Sequence, residues 1–177
     1  FGFEGEIGKF KIDLIQPMDL ELQSRIIKDR NSDTLYYWLE SSLDIDSIKF
    51  LVSTKTKIDT FKINLRKNKI DSLQIKSLQS NVLKFDENLE LHANIPYNKI
   101  DVKRIQVLDK DSIQVPFTHE LDTINNIYKF KIPKDQDQSY SFEFLPSAIE
   151  DYYGNTNDTL FYKLKTKTYD DYGNLRL

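Results

Sequence analysis

The 177 residues contain no cysteine, one methionine, one tryptophan, five glycines and five prolines. Without cysteine there is no disulfide, no thiolate metal site and no cysteine nucleophile, although an oxidising compartment stays open to such a chain. Alanine is nearly missing too, present only as Ala93 and Ala148. It is the strongest helix former, so its scarcity argues against a helical protein. Neither charge dominates: 25 Lys and Arg stand against 28 Asp and Glu, giving a net charge of −3. An interspersed balance of this kind gives no electrostatic basis for binding nucleic acid or an anionic membrane. Long apolar runs are absent as well. Ile48 to Val52 is broken by Lys49, so no segment of this chain is expected to insert into a bilayer. Phe1 is not an initiator, no signal peptide is present and the chain ends on Arg176-Leu177, which leads us to expect a piece of a longer protein.

Ile, Leu, Phe, Tyr and Thr fill the space that alanine leaves, and these suit a pleated, half-buried surface. Their spacing agrees. Phe10, Ile12 and Leu14 take every second place, as do Ile48, Phe50 and Val52, which bracket Lys49 and Leu51, then Phe61, Ile63 and Leu65. The same rule holds at Ile113, Val115 and Phe117, at Tyr128, Phe130 and Ile132, at Tyr140, Phe142 and Phe144, and at Leu160, Tyr162 and Leu164. Period-two alternation predicts strands with one buried face. Turn residues separate them: Lys28 to Asp33, Asp122 to Asn126, Lys134 to Asp137, and Gly154-Asn155. The fold class expected is all-β.

Sliding the chain on itself by about 79 residues brings its halves into step. Ile12-Asp13-Leu14-Ile15-Gln16-Pro17 falls on Leu91-His92-Ala93-Asn94-Ile95-Pro96. Ile48, Phe50 and Val52 meet Tyr128, Phe130 and Ile132, while Phe61, Ile63 and Leu65 meet Tyr140, Phe142 and Phe144. Asp71 to Lys76 pairs with Asp158 to Lys163 after an inserted loop, Pro146 to Asn157. A period this long suits a duplicated domain. We therefore expect two tandem immunoglobulin-like β-sandwich modules at 1–79 and 80–170, with 171–177 a linker to a following domain. Ile70 to Leu78 is then the last strand of module one. Gln79-Ser80-Asn81 becomes a very short junction, which predicts restricted bending.

The stretch Phe144 to Leu160, with its Ile149-Glu150-Asp151-Tyr152-Tyr153-Gly154-Asn155 turn, resembles the end of bacterial SbsA-type Ig-like domains. There, an apolar-x-Asp-x-x-Gly-Asn turn precedes the final strand. Thr166 to Leu175 resembles the segment after such a module in a family of Bacteroidota envelope lipoproteins, and Asp33 to Leu39 resembles a recurrent strand in the module before it. The first edge of such modules often reads Phe-Ser-x-Pro, where this chain has Ala93-Asn94-Ile95-Pro96. The resemblance implies an outer-membrane-anchored lipoprotein of the cell envelope, serving as spacer, surface display or accessory subunit, with no enzymatic activity and no cofactor.

The inventory of reactive residues agrees. His92 and His119 are the only imidazoles and stand far apart in sequence; no Gly-x-Ser-x-Gly elbow or P-loop occurs. Paired carboxylates of the glycosidase kind are not excluded by composition. In the 151–158 loop, Asp151, Asn155, Asn157 and Asp158 offer oxygens to calcium, but the same residues close a turn around Gly154. Asp-Ser or Asp-Thr before an apolar residue recurs, and turn closure before a strand accounts for it. Tyr36 and Trp38 are the candidate binding residues. By the parity of Leu160, Tyr162 and Leu164, the core takes Leu35, Tyr37 and Leu39, and Tyr36 and Trp38 point outward together. Two such rings about 7 Å apart would serve a sugar or a protein contact; the alternative is a Trp38 covered within the sandwich. The expected partners are an envelope protein or a surface glycan.

Overall fold

The computed structural model describes residues 11–16, 23–32, 34–39, 45–65 and 71–172, and the chain divides into two compact units, Phe1–Asp71 and Ser72–Leu177. The protein is all-β. Among the described residues the only helical turns are two short 3-10 segments, Val102–Arg104 and Tyr169–Asp171.

The first unit contains β1 (Lys11–Gln16), β2 (Ser24–Lys28), β3 (Leu35–Leu39), β4 (Ser47–Ser53) and β5 (Ile58–Asn64). These form an antiparallel sheet in the order β1-β4-β5 and a separate β2-β3 pair. Alternation in β4 works as expected, since Ile48, Phe50 and Val52 are buried. Tyr37 from β3 brings its ring to 4.7 Å from that of Phe50, joining the pair to the sheet. Phe10, Asp33 and Ile70, which entered the sequence reading, lie outside the described residues.

The second unit contains β6 (Ile75–Ser77), β7 (Leu89–Ala93), β8 (Tyr97–Ile100), β9 (Ile105–Leu108), β10 (Thr118–Asp122), β11 (Ile127–Lys131), β12 (Ser139–Phe144), β13 (Ile149–Asp151) and β14 (Leu160–Lys165). They make a four-stranded sheet, β10-β11-β7-β6, a three-stranded sheet, β14-β12-β9, and a β13-β8 ribbon. Inward residues of both larger sheets meet in one core. Leu89, Leu91, Tyr128 and Phe130 come from the first, and Val107, Tyr140, Phe142 and Phe144 from the second. Phe130 and Phe144 pack edge to face at 5.2 Å. This arrangement is sandwich-like, with two sheets burying period-two faces against each other.

Three expectations need correction. Ile75–Ser77 does not close the first module: β6 pairs antiparallel with β7 in the second unit. Leu78 N–H donates to Glu90 O at 2.9 Å, and the Gln79 side-chain oxygen accepts from Glu90 N–H at 2.7 Å. Lys165 N–H then reaches Asn81 O and Leu83 N–H reaches Lys165 O, each at 2.9 Å, and Leu83 is fully buried. Residues 79–81 are thus a crossing from one sheet to the other rather than a junction, and the restriction on bending inferred from a short junction does not follow. The boundary falls at Asp71/Ser72. Second, Ile113 to Phe117 is not a strand; only Gln114 forms a single bridge, to Leu108. Third, the 146–157 insertion is not plain loop, because it carries β13.

The repeat is reproduced only in part. β1 pairs with β4, and their counterparts β7 and β11 also pair. β5 returns beside β4 through the tight turn 54–57, where Thr54 N–H donates to Lys57 O at 2.8 Å. Its counterpart β12 lies instead in the other sheet. The difference has a local cause. Pro133 cannot donate to a ladder, and the connection 132–138 is long enough to cross a sandwich about 10 Å thick.

Where strands stop inside the unit, side chains complete the backbone hydrogen bonds. Asn126, at φ 54° and buried, accepts from Tyr97 N–H at 2.9 Å and donates to Ala93 O at 3.0 Å and Ile95 O at 2.9 Å. Asn126→Ala is expected to lower unfolding free energy by about 2–4 kcal/mol, because three buried backbone groups lose partners. Urea unfolding measures it, and a loss under about 0.5 kcal/mol would refute the assignment. The boundary yields a second test. A fragment starting at Ser72 should unfold in one cooperative step, whereas one starting at Ser80 lacks β6 and should melt earlier; equal midpoints would return β6 to the first unit.

Candidate functional site

β3 carries the sequence-predicted pair. Leu35 is buried and Tyr37 packs on Phe50, so the expected inward face is in place for those two residues. Tyr36 is 50% exposed, as expected of an outward residue. Trp38 is only half-buried, and its indole nitrogen is shielded from solvent. Across the ladder, Tyr36 faces Ile27 and Trp38 faces Arg25, and Ile27 is itself buried. The face holding Tyr36 and Trp38 is therefore partly covered.

Tyr36 is also engaged at its polar end. Its hydroxyl donates to Asp29 Oδ2 at 3.1 Å, while Asp29 Oδ1 accepts from Asn31 N–H at 2.7 Å. The Asn31 N–H, helped by the Tyr36 hydroxyl, holds the Asp29 carboxyl below its usual range; the bond to Asp29 in turn pushes the Tyr36 hydroxyl up. Asp29 thus ties the β2-β3 turn to the strand that follows.

The remaining candidates are scattered. His92 sits on β7 opposite Ile127, and His119 on β10 opposite Phe130. Ile127 and Phe130 are three residues apart on β11, so the two imidazoles occupy opposite faces of one sheet. His92 is half-buried, and His119 is exposed beside Tyr128 and Phe130. In the 151–158 loop, Asp151 is fully buried and its carboxylate accepts from Tyr153 N–H (2.8 Å), Asn155 N–H (2.9 Å) and Asn155 Nδ2 (2.9 Å). Asn157 accepts from Ile149 N–H at 2.7 Å and donates to Leu145 O at 3.0 Å. Gly154, at φ 82°, provides the left-handed turn that the loop requires. These oxygens are directed at the loop's own donors. Among the described residues no group of three or more His, Asp or Glu is placed to hold a metal.

Sequence reasoning did not single out three exposed aromatics. Phe161 on β14 and Tyr169 are each 60% exposed; Tyr169 stacks on Phe85 at 4.9 Å, and Tyr172 lies 5.6 Å from the same ring. The signal for Phe161 was available, since inward Leu160, Tyr162 and Leu164 fix it as outward. Tyr152 and Tyr153 meet edge to face at 5.2 Å and are half-buried.

Compared with protein-family models, with curated proteins and with solved structures, the chain matches none.

Trp38 supplies a direct reading of β3. Its emission is expected to be blue-shifted relative to the denatured chain and weakly quenched by iodide, as a shielded indole requires. An emission maximum equal to that in denaturant, with full quenching, would contradict the covered placement.

Proposed function

We propose that the second unit is an Ig-like sandwich and that the chain is a non-enzymatic structural and protein-interaction part of a cell-envelope lipoprotein. The observation carrying the fold reading is strand order. If β6, β7, β9, β10, β11, β12 and β14 are taken as A, B, C, D, E, F and G, the two sheets become A-B-E-D and C-F-G, the constant-type division. The parallel bridge Val82 to Lys165 extends the first strand onto the last. β8 and β13 are then an added ribbon. For the first unit, support comes from the sequence repeat and the shared β1-β4 and β7-β11 pairings, with β5 as the departure.

The non-catalytic reading is supported by what the polar side chains do. Asn126, Asp151 and Asn157 satisfy backbone groups, and the two histidines face away from each other. The envelope placement and the lipid anchor rest on the resemblance to SbsA-type modules of Bacteroidota lipoproteins. A carbohydrate-binding role on β3 has a narrower footing than the sequence suggested, because only Tyr36 of the pair is well exposed.

Affinity electrophoresis through gels containing neutral polysaccharides separates these readings. The expected result is unchanged mobility for the parent and for Tyr36→Ala. Retardation of the parent that Tyr36→Ala abolishes, with the fold intact, would replace the scaffold reading by glycan binding.

A further inference from the structure

β14 is an edge strand whose outer side is only partly used. The backbone of Lys165 faces away from β12, since it exchanges hydrogen bonds with Asn81 and Leu83. In an antiparallel ladder, successive residues turn their backbone groups to alternate sides. The N–H and C=O of Phe161 and Lys163 therefore point the same way as those of Lys165. Among the described residues, no bridge or loop hydrogen bond meets them. This stretch also presents two outward side chains, Phe161 at 60% exposure and an exposed Lys163. Lysine on an edge strand usually prevents pairing. It does so when the incoming strand sets another cation opposite it, and less so when the incoming residue is aromatic.

We propose that β14 pairs with β14 of a second copy of this chain, antiparallel about a two-fold axis at Tyr162, so that each Phe161 stands opposite the second copy's Lys163. Charge complementarity selects the occupant and the register. Within one copy, Glu143 of β12 is directly opposite Phe161, and Gln106 of β9 is opposite Glu143 and donates to its carboxylate. In the proposed pair, that row continues as Gln106, Glu143, Phe161 and the second copy's Lys163. The lysine stem covers the exposed ring and its ammonium lies over the aromatic face toward Glu143. The two-fold axis makes the row twice. The same register sets the open backbone groups of Phe161 and Lys163 against those of the second copy's Lys163 and Phe161. Centring on Lys163 instead would oppose two cations and drive the strand into the place that Val82 occupies beside Lys165. The two three-stranded sheets become one continuous sheet across the axis.

The absence of cysteine makes the register directly testable. Phe161→Cys and Lys163→Cys are made separately in the full chain, and their thermal midpoints under reducing conditions are compared with the parent to establish folding. Opposed residues of a hydrogen-bonded pair have Cα atoms about 5.5 Å apart, within disulfide reach, whereas identical residues would be about 8 Å apart and beyond it. Mixing the two variants in a glutathione redox buffer should give chiefly the 161–163 disulfide. Sedimentation equilibrium of the parent should show a concentration-dependent dimer, and Lys163→Glu, which sets carboxylates beside Glu143, should raise its Kd by roughly tenfold or more. A statistical mixture of disulfides, a predominant 161–161 product, a parent that stays monomeric, or a dimer indifferent to Lys163→Glu would each overturn the proposal.

Discussion

Wherever a strand ends inside a sandwich, it leaves backbone donors and acceptors where water does not reach, and the architecture of the second unit depends on how these are met. Asn126 meets them at the bend after β7, using both ends of its amide on residues 93–97. Asn157 does so at the start of β13, and Asp151 at its end. Thr166 serves the crossing between β11 and β12, accepting from Gln138 N–H at 3.0 Å and donating to Asp135 O at 2.6 Å. Each is a short polar side chain that is itself buried. With the turns held in this way, the two larger sheets present apolar rows to one another. The phenylalanine contacts across the core follow from that.

The sequence showed the strands better than their partners. Alternation located β1, β4, β5, β11, β12 and β14, because a half-buried strand must repeat every two residues. It missed β2, β8, β9, β10 and β13, which are three to five residues long and too short to carry a clear period. It also overread Ile113 to Phe117, where alternation occurs without a ladder. The site was less legible than the fold. Parity gave Leu35 and Tyr37 their inward places and Tyr36 its exposure, but parity says which side a residue faces and not whether that side is covered. Trp38 shows the limit: it faces away from Tyr37 and is still half-buried.

Comparison of the two halves gives the same lesson on a larger scale. Phe61 and Ile63 are 40% and 39% exposed, while Tyr140 and Phe142, which they match in the repeat, are buried. All four side chains are large and apolar or aromatic, and the strands have the same period. What differs is the connection before them, a four-residue turn (54–57) in one half and a proline-started crossing (132–138) in the other. Burial is decided by the partner strand, which is decided by the loop. A repeat read from apolar spacing alone is blind to this, and for the same reason it assigned β6 to the wrong unit. Asp71 to Lys76 resembles Asp158 to Lys163 in pattern, yet the Gln79 side chain and the backbone of Leu78 tie the segment to β7.

The same division between pattern and partner bears on function. In this protein several turn carboxylates, those of Asp29, Asp109, Asp122 and Asp151, accept backbone N–H bonds, and the two imidazoles lie on opposite faces of one sheet. The groups left over are peptide edges and side chains on outer faces. The surface and edges of a β-sandwich make contacts by shape, charge and strand pairing. The scaffold role proposed above would draw on such contacts. Asn126 and Thr166, which no functional argument would have picked from the sequence, hold backbone groups at the turns of the sandwich.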